Sequence, residues 1–169
     1  AAVSAAEGAF YNNGQSCCAV ERIYVSEKIY DKFVEAFVAE VASYKVGDPM
    51  TVDTFIGPLT RAAQLTVLSD QVKDALEKGA RLRLGGHALQ GKGYYYAPTV
   101  FEHCDHRMAL MIDETFGPLI GIQKVSSDEE AIGLMQDTAY GLTAAVFSSD
   151  RNRAMRILDQ MDTGTVYWN

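Results

Sequence analysis

The chain has 169 residues, of which 48% are hydrophobic and 22% charged, the profile of a globular domain with a real hydrophobic core. The formal net charge of −7, without any run of Lys or Arg, argues against a nucleic acid or an acidic membrane surface as the main partner. No apolar run approaches the length that spans a bilayer, and no basic segment followed by an apolar stretch indicates a signal peptide.

Helix and strand patterns alternate along the chain. The first residues, 1–10, are typical of a helix. The elements predicted after it are a strand at 22–25, helices over about 27–44 and 60–78, a strand at 81–84, an extended segment at 94–101, a strand at 119–125, a helix from 127 to 135, a strand at 143–147, a helix after Asp150 and a strand at 165–168. Strands separated by helices of this length need crossover connections. The sequence therefore predicts an α/β fold, with an open, mostly parallel sheet and helices on both faces.

Apolar side chains predict which faces of these elements are buried. Every fourth residue of the first long helix is apolar, at Ile29, Phe33, Phe37 and Val41. The second long helix carries its apolar face at Ala63, Val67, Leu68, Val72 and Leu76. Ser127 and Glu130 fit a capping box at the start of the next helix, and Asp150 is the expected N-cap of the last helix. The strand at 143–147 is nearly all apolar, which predicts that both of its faces are covered.

The segment that says most about chemistry runs from Phe10 to Glu21 and contains two adjacent cysteines, Cys17 and Cys18. Gly14 permits a sharp turn before them. A thiol is a strong nucleophile only as the thiolate, whereas a free cysteine is more often a small buried hydrophobe, so the residue types alone leave an inert pair open. Neighbouring cysteines rarely bridge each other, and with Cys104 as the only other thiol a reducing compartment fits best.

A second informative segment, residues 113–118, ends just before the strand at 119–125. Gly117 and Pro118 are expected to turn the chain, and Glu114 and Phe116 lie just before that turn. A carboxylate accepts hydrogen bonds from sugar hydroxyls and an aromatic face lies against a flat ring, so the pair fits a ribose and its heterocycle. A solvated acidic loop with one core phenylalanine is the open alternative.

No metal site is predicted. The run from His103 to His106 contains ligand-type residues, but no second cluster completes a tetrahedral site. Glycine-rich phosphate-binding motifs and the serine-nucleophile motif are also absent.

Together the two informative segments resemble the aldehyde dehydrogenase family. The run Gly14-Gln15-Ser16-Cys17 resembles the family's cysteine signature, and Glu114-x-Phe116-Gly117-Pro118 resembles its E-x-F-G-P segment. The stretches 140–144 and 164–169 look like later landmarks of the family, in the expected order. The resemblance covers essentially the whole chain, and the two motifs in order, roughly a hundred residues apart, are specific in combination.

The resemblance implies an NAD(P)-dependent aldehyde dehydrogenase, with Cys17 as nucleophile and Glu114 and Phe116 at the nicotinamide end of the cofactor, NAD or NADP. The Cys17 thiolate attacks the aldehyde to give a thiohemiacetal, hydride transfer to NAD(P) leaves a thioester, and water releases the carboxylic acid. The Cys17 backbone N–H is an expected donor to the oxyanion. Gln64 is implied near the adenosine end of the cofactor, although a solvated helix glutamine is the simpler interpretation.

The same resemblance implies that residues 1–169 are a catalytic-domain segment of a longer chain. The family's dinucleotide-binding domain, general-base Glu and oxyanion Asn belong before this segment, and a C-terminal tail belongs after it. The isolated segment is therefore expected to be inactive. The expected partner is a small aldehyde, with no nucleic acid or membrane partner, and the parent protein is expected to be a homodimer or homotetramer. The cytoplasm is the expected location, with the mitochondrial matrix as the alternative.

Two other functions stay open. Coenzyme A in place of water would resolve the thioester as an acyl-CoA, as in a CoA-acylating semialdehyde dehydrogenase. A non-catalytic binding or structural relative is the second alternative, although the retained Cys17 argues against it. The identity of the aldehyde and the choice between NAD and NADP depend on segments outside these residues.

Overall fold

The structure is a computed structural model that describes every residue from 1 to 169. Its elements in chain order are α1 (Ala2–Phe10), β1 (Arg22–Ser26), α2 (Tyr30–Ala42), α3 (Ala63–Glu77), β2 (Arg81–Leu84), β3 (Thr99–Glu102), β4 (Leu119–Val125), α4 (Asp128–Gln136), β5 (Thr143–Val146), α5 (Arg151–Leu158) and β6 (Thr165–Trp168). Short 3-10 turns lie at Tyr11–Gly14 and Ala109–Met111. None of the helices combines the length and the apolar character that a membrane crossing requires.

Four strands form the main sheet, in the order β1-β4-β3-β2. β4 lies parallel to both β1 and β3, while β2 runs antiparallel to β3 at the far edge. β5 and β6 pair in parallel as a separate two-stranded sheet. The predicted α/β fold with mostly parallel strands is confirmed, but the strands are divided between two sheets.

Hydrophobic residues pack against both faces of the main sheet. Neighbouring side chains of a strand point to opposite faces. Accordingly, Val100 of β3 belongs to the cluster with α1 and α2, whereas Phe101 belongs to the cluster with α3. Ile120 and Leu119 of β4 divide in the same way. Helices therefore cover both faces of this sheet, as predicted.

The buried stripe of α2 differs from the predicted one. The inward side chains are Tyr30, Val34, Phe37 and Val41. Ile29 is 55% exposed and precedes the helix, and Phe33 is only partly buried. A strict spacing of four drifts around a helix of about 3.6 residues per turn, whereas spacings that alternate between three and four stay on one face.

The inward face of α3 was predicted only in part. Leu68 and Val72 are buried, as expected. Val67 and Leu76 are exposed by 38% and 49%, and two glutamines, Gln64 and Gln71, point inward instead. The helix thus buries polar side chains that a hydrophobic pattern does not identify.

The N-termini of the last two helices are capped by the predicted side chains. The Glu130 N–H donates to the Ser127 hydroxyl at 3.1 Å, and the Arg153 N–H donates to Asp150 at 3.0 Å. The Glu130 carboxylate accepts hydrogen bonds from the N–H and the hydroxyl of Ser126, one residue before the expected partner. The capping box therefore forms with its reciprocal half displaced by one residue.

β5 is not covered on both faces, contrary to the prediction. Its four residues are half-buried or exposed. The strand pairs with β6 alone and packs against α5, and residues 143–146 also line a cleft. Its apolar character therefore belongs in part to a cleft wall and not to a closed core.

Candidate active site

Cys17 and Cys18 occupy the two central positions of a tight turn. The Ala19 N–H donates to the Ser16 carbonyl at 3.0 Å, and the Cys18 N–H donates to the Ser16 hydroxyl at 3.3 Å. The hydroxyl of Tyr11 also donates to that Ser16 oxygen. Both cysteines are exposed and their sulfurs lie 3.9 Å apart. The interpretation of the pair as small buried hydrophobes is therefore wrong.

Three consecutive residues with left-handed backbone precede this turn. Asn12, Asn13 and Gly14 have φ angles of 49°, 62° and 69°. Asparagine and glycine tolerate this region best. Gly14 is constrained further, because a Cβ there would lie 2.2 Å from the carbonyl oxygen of Gly117. The sharp turn expected at Gly14 is present, and it brings the cysteine segment into contact with the second informative segment.

Glu21 joins these two segments. Its carboxylate accepts the Thr115 N–H at 3.0 Å and the Phe116 N–H at 3.3 Å. From the other side, the Gln64 side chain of α3 donates to the Thr115 carbonyl at 2.6 Å. Gln64 is only 7% exposed, so its interpretation as a solvated helix glutamine is wrong. The loop that carries Glu114 and Phe116 is thus fixed by hydrogen bonds through its backbone.

The cysteine loop is also tied to the segment before α3. The Gln15 side-chain oxygen accepts the Thr60 N–H at 2.8 Å and the Thr60 hydroxyl at 2.9 Å. The Asn13 amide donates to the Gly57 carbonyl at 3.1 Å. The glutamine of the cysteine signature therefore positions the loop.

The candidate nucleophile Cys17 and the candidate cofactor-binding residue Glu114 lie on one cleft, between the main sheet and the two-stranded sheet. Its volume is about 880 Å³, and Cys17, Cys18 and Glu114 all line it. Every residue from 20 to 26 and from 138 to 148 lines it as well. Alternate residues of a strand point to opposite faces of the sheet, so a cleft that lay against one face of β1 would contact only every second residue. Because every residue of β1 lines the cleft, the cleft lies along the unpaired edge of this strand.

The structure brings Cys17 and Glu114 to the same cleft but places Phe116 differently. Glu114 is exposed. Phe116 is half-buried, has a φ of 43°, and is not among the lining residues. The side chain of Phe116 is therefore not part of the cleft lining, although its backbone N–H bonds to Glu21.

The ligand-type residues at 103–106 diverge in the structure. Cys104 is 4% exposed, and burial raises its pKa to about 12. The His106 ring pairs with Asp137 at 2.8 Å through Nδ1 and with the Tyr24 hydroxyl at 2.7 Å through Nε2. The structure contains no group of three or more His, Cys, Asp or Glu side chains that could hold a metal ion.

Sequence reasoning missed the role of three residues that position the site. Glu21, Thr60 and Gln64 all act through bonds to segments distant in the sequence. The only local signal is a lone carboxylate at Glu21 directly before a predicted strand, and nothing in the pattern around Thr60 or Gln64 distinguishes them from solvated polar residues.

Burial raises the pKa of Glu21 above its ordinary value, and the N–H donors of Thr115 and Phe116 oppose that rise. The folded state therefore binds this proton more tightly than the unfolded state. The contribution of Glu21 to stability is fully present below its ordinary pKa and is lost as the pH rises through the raised value.

Glu21→Gln should remove this pH dependence. Relative to the variant, the unmodified protein should lose stability as the pH rises from the ordinary glutamate pKa through the raised one, by about 1.4 kcal/mol for each unit of displacement. Urea denaturation over a series of pH values measures the difference in unfolding free energy. Glu27→Gln, at an exposed glutamate, controls for net charge. If the unmodified protein instead became more stable than the variant as the pH rises, the N–H donors, and not burial, would determine the direction of the pKa shift of Glu21.

Comparison with known proteins identifies the family. The model of the aldehyde dehydrogenase family matches residues 1–169. An NADP(+) succinate-semialdehyde dehydrogenase of Mycobacterium bovis is 39% identical over 170 residues, which cover 100% of this chain and 37% of that protein. The chain therefore belongs to the aldehyde dehydrogenase family, as the two motifs indicate. It spans about a third of the length of the curated relatives it matches.

Solved structures agree with this assignment. The crystal structure of succinate-semialdehyde dehydrogenase from Burkholderia pseudomallei matches with a TM-score of 0.94 at 34% identity, over 98% of this chain and 35% of the other. The structure of an indole-3-acetaldehyde dehydrogenase complexed with NAD+ matches with a TM-score of 0.94 at 30% identity, over 99% of this chain and 34% of the other. The fold of the chain is therefore that of a part of these enzymes.

Proposed function

We propose that the chain is the nucleophile-bearing segment of a longer NAD(P)-dependent aldehyde dehydrogenase, which oxidises a small aldehyde to a carboxylic acid through Cys17. One observation carries the proposal. Cys17 is exposed on a turn that opens onto the same cleft as Glu114, and the loops that hold the two residues are bonded to each other through Glu21. Membership of the family supports the same reaction class.

Cys17 acts as the nucleophile. Its thiolate forms a bond to the aldehyde carbon, and the electrons of the carbonyl move to oxygen, which gives a thiohemiacetal. The hydrogen bond and the charge interaction with Cys17 raise the pKa of Cys18 above its ordinary value. The raised pKa disfavours the thiolate form of Cys18.

The residues around Cys17 fit a nicotinamide dinucleotide. Glu114 presents an exposed carboxylate on the cleft, and a carboxylate is a suitable acceptor for ribose hydroxyls. Phe116, two residues further on, is held by the bond between its backbone N–H and Glu21. When bound, NAD or NADP supplies the hydride acceptor that turns the thiohemiacetal into a thioester. An NADP(+) relative and an NAD+ complex among the similar proteins support either nucleotide.

The remaining parts of the machinery are assigned to the rest of the longer protein. The chain spans about a third of its relatives, so the dinucleotide-binding domain, the general base and the oxyanion amide are proposed to lie outside it. Residues 1–169 alone are then inactive. The longer protein is proposed to be a cytoplasmic homo-oligomer that releases a free acid.

The product of the longer protein tests this proposal. With small aldehydes and either nucleotide, it should form one carboxylic acid for each reduced nucleotide, and the 169-residue chain alone should form none. An acyl-CoA that appears only when coenzyme A is added would identify the CoA-acylating alternative. If no aldehyde in a broad panel leads to nucleotide reduction, the protein is a non-catalytic relative and the proposal fails.

A further inference from the structure

The two thiols of the Cys17 turn form a preorganised pair. They occupy the central positions of a turn that the bond between Ala19 and Ser16 closes, and both are exposed to solvent. Their sulfurs lie 3.9 Å apart. Cys104, the remaining thiol, is buried in the cluster with α3. The fold therefore offers one accessible site with two sulfur ligands.

A direct disulfide does not suit this pair. Disulfides join Cα atoms that are about 4.4–6.8 Å apart, whereas consecutive Cα atoms across a trans peptide are about 3.8 Å apart. A single atom bonded to both sulfurs at about 2.3 Å, a normal length for thiolate bonds to zinc, holds them about 3.8 Å apart at a tetrahedral bond angle. The observed separation of 3.9 Å is close to that distance.

The number of available ligands decides which atom fits. Zinc is held by four ligands in structural sites and by three protein ligands in catalytic ones. No group of three or more His, Cys, Asp or Glu side chains exists in the structure to supply them. Trivalent arsenic that carries one organic substituent has only two remaining positions to fill, and sulfur is its preferred partner because both are soft. The two thiols fill both of these bonding positions.

We propose that Cys17 and Cys18 form a chelating site for monosubstituted trivalent arsenicals. With phenylarsine oxide, two arsenic–sulfur bonds form, the two S–H bonds and the arsenic–oxygen bond break, and the oxygen leaves as water with both thiol protons. Arsenic and sulfur keep their oxidation states. The bound arsenical removes Cys17 as a nucleophile. The site needs only the two sulfurs, so it does not depend on the proposed dehydrogenase function.

Titration of the 169-residue chain with phenylarsine oxide tests the site. Intact mass should show one arsenical per chain, and a thiol assay should show the loss of both accessible thiols. The adduct should survive excess glutathione and be removed by dimercaptopropanol. Cys17→Ser and Cys18→Ser should each retain the arsenical about 10²-fold less well against glutathione, because the second bond is lost. Cys104→Ser should behave as the unmodified chain.

Two results would overturn this site: retention by Cys18→Ser equal to that of the unmodified chain, or an adduct that consumes Cys104. A protein that chelates the arsenical but reduces no nucleotide would support the site and contradict only the proposed function. Mass and thiol count are therefore read separately from dehydrogenase turnover.

Discussion

Cys17→Ser should lower NAD(P)-dependent aldehyde oxidation by the longer protein roughly 10⁴-fold or more, while Cys18→Ser should keep most of the activity. A serine hydroxyl is a far weaker nucleophile than a thiolate unless a base stands beside it. The Cys17 sulfur has a hydrogen-bond contact with the Cys18 sulfur and none with a base, and no histidine is among the residues that line the cleft. The rate of nucleotide reduction under single-turnover conditions is the measurement of choice, because it isolates formation of the thioester from later steps.

The two variants are matched controls for each other. Both side chains are exposed on one turn, so neither substitution removes core packing. Thermal unfolding should show equal stability for both, which separates loss of chemistry from loss of fold. Equal loss of activity in the two variants, or substantial activity in Cys17→Ser, would contradict the assignment of Cys17 as nucleophile.

Gly14→Ala should be much more destabilising than Gly79→Ala, although both glycines have positive φ angles, of 69° and 95°. At Gly79 an added Cβ has no neighbour within 4 Å, so only the backbone strain of about 1–2 kcal/mol applies. At Gly14 the same atom would lie 2.2 Å from the Gly117 oxygen and 2.8 Å from its carbonyl carbon. Both atoms belong to the main chain, so relief requires movement of a loop, and the expected additional cost is about 1–3 kcal/mol.

Denaturant unfolding of the two glycine variants gives the comparison directly. Gly14→Ala should also raise the exchange rate of the Thr115 and Phe116 amide protons, because displacement of the Gly117 loop strains their bonds to Glu21. Gly79→Ala should leave those amides unchanged. Equal losses of stability in both variants would show that the two loops separate easily and that their contact does not set the geometry of the site.

The sequence predicted the order of elements well because periodicity is a local property. The caps at Ser127 and Asp150 and the apolar run of β4 are recognisable within a few residues. Burial was harder to predict, since Leu76 and Val67 are apolar yet exposed while Gln64 is buried. Residues that satisfy a distant backbone group, as Gln64 does for Thr115, follow no helical period.

The sequence predicted individual residues of the candidate site, but not the contacts that bring their loops together. Motif residues identified Cys17 and Glu114, and both line one cleft. The carboxylate that links their loops, Glu21, contacts a backbone 94 residues away, and no pattern in the sequence encodes that pairing. The apolar strand at β5 illustrates a second limit, because apolar residues line open clefts as well as closed cores.

The contact of Gly14 with the carbonyl of Gly117 means that main-chain atoms set the closest approach of the two motif loops. Side chains around the rest of the cleft can therefore change in size and polarity without shifting the Cys17 loop relative to the Glu114 loop. Such changes alter what the cleft can accommodate while the backbone of the two loops stays in place. A backbone that matches two solved dehydrogenase structures with a TM-score of 0.94 at only 30–34% identity is the result expected when main-chain contacts position the loops.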